Sequence, residues 1–127
     1  LLHKTDAFEL VAMHWAPGSV SPIHDHGASR CWVVMLEGAL DVDNYDRLDD
    51  GSEPKALIRM SSHVRVARGE LDHRLNWREL HRVRNASDAS AFSVQVYAAP
   101  QFDFTIVDGD SFECRRVLAK YDAVYDL

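Results

Sequence analysis

A chain of 127 residues with 46% hydrophobic content is long enough to bury one core and too short for two, so a single domain over residues 1–127 is expected. The formal net charge of −6 comes without any stripe of Lys or Arg, which excludes nucleic acid as the expected partner and points to a solvated surface. Apolar runs such as Trp32-Val33-Val34-Met35-Leu36 are too short to cross a bilayer, so no membrane partner is expected. The chain opens at Leu1 without an initiator Met, and residues upstream of it are expected to belong to the protein. With no basic start followed by an apolar centre, the expected location is the cytoplasm, where Cys31 and Cys114 would be free thiols. A monomer or weak oligomer is expected.

Turn signals punctuate the chain at short intervals, at Ala16-Pro17-Gly18, Glu37-Gly38, Asp49-Asp50-Gly51-Ser52, Arg68-Gly69, Asn85-Ala86-Ser87, Ala99-Pro100 and Asp108-Gly109-Asp110. Between them lie short runs rich in Val, Ile, Leu and aromatic residues. Strands are predicted at Phe8–Trp15, Cys31–Leu36, Ala39–Asn44, Ala56–Met60, His63–Ala67, Glu79–Arg84, Phe92–Ala98 and Phe102–Val107. The segment 69–77 reads either as a turn of helix or as a loop, and the tail 115–125 either as a strand or as a closing helix. Short strands at even spacing with little helix predict an all-β, antiparallel sandwich or barrel.

The chemistry concentrates at His24-Asp25-His26. Alternate residues of a strand share a face, so a strand through this segment would present both imidazoles to one ion. Imidazole favours transition metals over magnesium or calcium. A third ligand is expected from His81, in the alternating run Leu80-His81-Arg82-Val83-Arg84-Asn85. A barrel suits such a site, since inward side chains of distant strands converge while one side of the metal stays open.

The spacing Gly18, five residues, His24-x-His26, four residues, Cys31, six residues, Gly38 resembles the first signature of the cupin superfamily. His81 and Asn85, with three residues between them, resemble the end of the second. That likeness implies a cupin-type jelly-roll barrel. In most cupins the position of Cys31 holds a metal-binding glutamate. Here the ligand set would be three neutral imidazoles with no carboxylate.

His24-Asp25-His26, Ser29, Cys31, Met35-Leu36-Glu37-Gly38, Leu80-His81-Arg82-Val83-Arg84-Asn85 and Ser93-x-x-x-Tyr97 together resemble the cysteine dioxygenases, a branch of the cupin fold. Trp15, Gly18, Ser21-Pro22-Ile23, Pro100 and Phe102-Asp103 extend the likeness over roughly residues 12–104. The resemblance implies Fe(II) held by His24, His26 and His81, and oxidation of a small thiol by O2 to its sulfinic acid, with L-cysteine the first candidate. It implies a catalytic pair of Cys31 and Tyr97, which some members join by a thioether bond. Parity alone would put Cys31 on the face opposite the histidines, and Gly27 is where a bend can re-aim it. Ser93, Gln95 and Tyr97 alternate on one strand and are expected to form a substrate-binding, hydrogen-bonded row. The family usually has histidine where Gln95 stands. Its carboxylate-binding arginine, or glutamine in relatives using other thiols, falls upstream of Leu1, so 3-mercaptopropionate remains an alternative substrate. A zinc or nickel cupin enzyme and a non-catalytic metal-binding sensor are the rival readings. His3, His14, His63 and His73 have no partner at ligand spacing and are read as surface or packing residues.

Overall fold

A computed structural model describes residues 1–101 and 103–125. Eleven strands are present: β1 His3–Lys4, β2 Glu9–Trp15, β3 Ile23–His24, β4 Arg30–Glu37, β5 Ala39–Arg47, β6 Ile58–Ala67, β7 Leu71–Arg74, β8 Glu79–Arg84, β9 Ala91–Ala98, β10 Asp103–Val107 and β11 Cys114–Leu118. Among the described residues there is no helix. The first sheet runs in the order β1-β2-β9-β4-β7 and the second in the order β11-β10-β3-β8-β5-β6, with every named pairing antiparallel. The predicted all-β antiparallel architecture is therefore the observed one.

Several boundaries differ from those expected. The runs 56–60 and 63–67 join into the single strand β6, whose register slips opposite Asn44 and Tyr45, so the polar Ser61-Ser62 pair is spanned rather than turned. Segment 69–77 carries the edge strand β7, and the tail forms β11 before continuing without regular structure to residue 125. The predicted start at Phe102 lies outside the described residues; β10 begins at Asp103. The expected strand through both His24 and His26 is shorter: β3 ends at His24, and His26 lies in the corner that follows.

Alternation explains where the site forms. On the inner face of the first sheet one row of register partners reads Glu9, Tyr97, Cys31, Arg74, and the next reads Val11, Gln95, Val33, Asp72. Facing them on the second sheet, the row reads Ile106, His24, His81, Asn44. Beneath these polar rows, Met35 and Ala91 of the first sheet pack on Leu40, Val42, Val66 and Val83 of the second, with Trp15 against them. Ile23, Tyr45, Leu80 and Val107 alternate with the inward residues and pack on the opposite face, under Ala56. The second sheet is thus covered on both sides where it carries the histidines, and this anchors β3 and β8.

The corner between β3 and β4 carries the chain from one sheet to the other. Asp25, 2% exposed, holds it: its Oδ1 accepts hydrogen bonds from the backbone N–H of Gly27 (3.1 Å) and of Thr105 (2.7 Å). Gly27 has φ of 59°, a conformation natural to glycine, and a Cβ there would lie 2.5 Å from the Asp103 carbonyl oxygen. Both facts demand glycine. Gly27→Ala is expected to lower stability by about 2–3 kcal/mol, through positive-φ strain and displacement of β10. A shifted urea midpoint at unchanged slope would show it, and an unchanged midpoint would contradict it.

Candidate metal centre

His24, His26 and His81 converge. Their ring centroids are separated by 5.0 Å (His24 to His26), 4.7 Å (His24 to His81) and 4.9 Å (His26 to His81). One nitrogen from each ring lies within 4.8 Å of the others, a spacing that can enclose one metal ion. His24 and His81 are register partners on β3 and β8, so two ligands are set by a backbone ladder. His26 is placed by the corner, where its carbonyl accepts the N–H of Ser29 at 3.0 Å.

The rings are kept neutral. Burial, then the neighbouring His81, pushes His24 down to about 3, against a smaller opposing effect of the Pro22 carbonyl. Burial, then His81, His24 and Arg74, takes His26 well below its ordinary value. Burial also lowers His81, partly offset by Asp72. A metal ligand must offer a lone pair, and unprotonated imidazoles offer three. His24 Nδ1 lies 2.8 Å from the Pro22 carbonyl oxygen, which can only accept, so Nδ1 carries the proton and Nε2 is free. Nδ1 of both His26 and His81 is buried without a hydrogen-bond partner. The donor set fits a divalent transition metal.

Cys31 and Tyr97 are register partners on β4 and β9 and pack together in one buried cluster. Residues 25–29 turn the chain into the other sheet, so parity counted from the histidines does not set the face of Cys31; its register partner Tyr97 lines the same cavity as His24 and His81. The Tyr97 ring lies 5.8 Å from that of His26, and its hydroxyl donates to Gln95 Oε1. Burial, reinforced by Cys31, Glu9 and Tyr121, raises the Tyr97 phenol well above its usual range. Ser93 does not complete the expected row. Its Oγ accepts the indole N–H of Trp15 at 3.0 Å, lower in the barrel, while Gln95 and Tyr97 remain joined.

A cavity of about 370 Å³ runs between the sheets, walled by His24, His81, Gln95 and Tyr97 at its polar end and by Trp15, Met35, Val42 and Val83 at its apolar end. Glu9, 1% exposed, lies on this wall beside Tyr97. Its carboxylate accepts from Tyr121 Oη and from the Gln101 N–H at 3.0 Å, tying the tail to β2. The sequence pattern gave no reason to single out Glu9. Asp72 and Arg74 were likewise missed because segment 69–77 did not declare itself a strand; the alternation Asp72-His73-Arg74 was the available signal. Asn85, fully buried, is structural: its amide N–H groups donate to Trp15 O (2.9 Å) and Ala89 O (2.8 Å), and its Oδ1 accepts from Ser87. Both cysteines are free; His14 bonds Ser90 and His63 bonds Asp43 outside this centre.

The two antiparallel sheets and the histidines facing inward define a cupin with a three-histidine centre. The fold is shared with the cupin domain of Schizosaccharomyces pombe Cnp3, which is 10% identical and superposes with a TM-score of 0.60 over 78% of this chain and 57% of that one. A sequence model of the family described as cysteine dioxygenase type I matches residues 3–108, and the chain belongs to that family. It is 31% identical over 94 residues to cysteine dioxygenase type 1 of Rattus norvegicus and 29% identical over 99 residues to that of Danio rerio, in each case across 73% of this chain. Each match spans 46% of the relative's length.

Burial pushes the Cys31 thiol up to about 12, with a further rise from the nearby Asp72. At pH 8 only about one uncrosslinked Cys31 in ten thousand would be thiolate, the form that alkylates. Iodoacetamide at pH 8 is therefore expected to leave Cys31 unmodified in folded protein kept anaerobic and metal-free, before any turnover, and to modify it after denaturation. Rapid labelling of the folded protein at Cys31 would contradict the burial described here.

Proposed function

We propose that the protein is an iron(II)-dependent thiol dioxygenase that converts a small thiol, first of all L-cysteine, to its sulfinic acid. The observation that carries this reading is the ligand set: three neutral imidazoles with no carboxylate among them, and a Cys31–Tyr97 pair beside them. In the reaction, R–SH and O2 combine to R–SO2H; both oxygen atoms join sulfur, which loses four electrons as dioxygen gains four. His24, His26 and His81 would hold iron(II), which would supply a divalent charge that no ligand neutralises and so lower a thiol's pKa.

The chain's own groups orient and shelter the reactants. The Tyr97 phenol stays protonated at neutral pH and serves as a fixed donor, aimed by its bond to Gln95. The Gln95 amide donates and accepts but takes no proton near neutrality, so this position supports orientation rather than acid–base transfer. The apolar lower wall excludes water from the space where a short thiol would lie. Gln95, where histidine is usual in the family, favours testing 3-mercaptopropionate beside cysteine.

Oxygen uptake and product should be measured on protein loaded anaerobically with Fe(II) and given cysteine, 3-mercaptopropionate or cysteamine. One sulfinate per O2 consumed with at least one thiol is expected, and His81→Ala should abolish it. Tyr97→Phe should lower kcat/KM by about tenfold or more, ~1.4 kcal/mol. Iron-loaded protein that consumes no oxygen with any of these thiols would overturn the reading and favour a metal-binding sensor.

A thioether between Cys31 and Tyr97 belongs to the same proposal. The thiol hydrogen and one ring hydrogen would leave as two protons and two electrons, with dioxygen the oxidant, and sulfur would bond to the ring carbon. After aerobic turnover, mass spectrometry is expected to show a joined Cys31 and Tyr97 peptide pair two hydrogens lighter than their sum. Separate peptides only, with Cys31 fully alkylated after denaturation, would contradict it.

A further inference from the structure

We infer that Asp72, held by Arg74, is the positioning residue for the metal ligand His81, accepting its Nδ1–H and so directing Nε2 to the metal. The inference rests on the three-histidine metal centre described above and adds residues outside the ligand set. Asp72 Oδ2 lies 3.6 Å from His81 Nδ1, just beyond hydrogen-bonding distance, and a shift of well under an ångström closes the bond. His81 Nδ1 is buried without any other partner. Such a nitrogen, if protonated, needs an acceptor, and this carboxylate is the one beside it.

The carboxylate is itself oriented. Arg74 Nη2 donates to Asp72 Oδ1 at 3.1 Å and, more weakly, to Oδ2 at 3.5 Å. The same nitrogen donates to Asn44 Oδ1, whose residue pairs with His81 across β5 and β8, and Asn44 Nδ2 donates to Ser62 Oγ at 3.0 Å. A chain of polar contacts therefore runs from the edge strand β7 of one sheet to the strand flanking His81 in the other. Both Asp72 and Arg74 side chains are 13% exposed, and both point inward on the strand whose alternate residues, Leu71 and His73, point out. Two opposite charges placed together inside a barrel are costly unless they do something for each other or for a third group. Here the third group is a ligand ring. The arginine also makes the carboxylate a fixed acceptor rather than a mobile competing ligand.

A metal-binding histidine that donates its other N–H to a carboxylate has one tautomer, one ring orientation and a more basic coordinating nitrogen, and loss of the partner costs about 10–100-fold in metal affinity. The test uses Co(II), whose visible absorption reports ligand geometry, without thiol or oxygen. Asp72→Asn keeps the shape and removes the charge. The double variant Asp72→Leu with Arg74→Met removes both charges, so that neither is stranded. Asp43→Asn, at a carboxylate bound by His63, Arg82 and Arg84, serves as a stability control away from the centre.

Both Asp72 variants are expected to bind Co(II) about 10–100-fold more weakly than wild type, with an altered absorption band, while Asp43→Asn lowers the melting temperature and leaves affinity unchanged. Variants that fold and keep wild-type affinity and spectrum would overturn the inference alone, as would an equal loss in Asp43→Asn. Wild-type protein that takes up no Co(II) or Fe(II) would overturn the metal centre, and this inference with it.

Discussion

Three imidazoles packed within 5.0 Å of one another inside a protein cannot all be protonated: each lies out of water, and each charge would repel the other two. The arrangement is stable only as neutral rings, and three neutral rings whose free nitrogens converge form an electron-rich pocket that a divalent cation relieves. The remaining structure serves this constraint. The ladder between β3 and β8 sets His24 beside His81, and the Asp25 and Gly27 corner brings His26 across to them. Cluster packing of Ile23 and Leu80 on the far face of the sheet keeps both ladder residues from rotating away.

The same alternation that aims the ligands builds the chamber. Inward positions run from apolar residues low in the barrel to Gln95, Tyr97, Cys31, Asp72 and the histidines above, so one end of the cavity is apolar and the other is polar and titratable. The polar end is rigid because its groups hold one another. Tyr97 is fixed by Gln95, Asp72 by Arg74, and His24 by the Pro22 carbonyl. On the outer face of the second sheet the charges play a different part: Asp43 gathers Arg82 and Arg84 into an ion-paired ladder whose alternating strand positions keep it apart from the histidines.

Much of this was legible in the sequence, for identifiable reasons. Strong punctuation by Gly, Pro and Asp, with Val and aromatic runs between, is enough to place most strands, and β8 has the predicted bounds Glu79–Arg84. His24, His26 and His81 stood out because their spacing falls in a recognisable pattern. What was hidden depended on tertiary partners. The two-residue strand β3 exists only because β8 and β10 flank it, so sequence alone overestimated its length. Strand β7 has no hydrophobic face of its own, since its inward residues are Asp72 and Arg74; its polar character made it look like a loop. Glu9 was hidden for a related reason, being a buried carboxyl group whose hydrogen-bond donors Gln101 and Tyr121 lie about a hundred residues away.

The proposed function makes a single demand on this geometry, that a bound ion be held by nitrogen alone until a sulfur ligand arrives from outside the chain. X-ray absorption of iron(II)-loaded protein, recorded anaerobically before and after adding cysteine, tests this most directly. The account predicts three imidazole ligands and no sulfur in the first spectrum, and one added sulfur in the second. Sulfur already bound before substrate, as direct ligation by Cys31 would give, or fewer than three imidazoles, would contradict it.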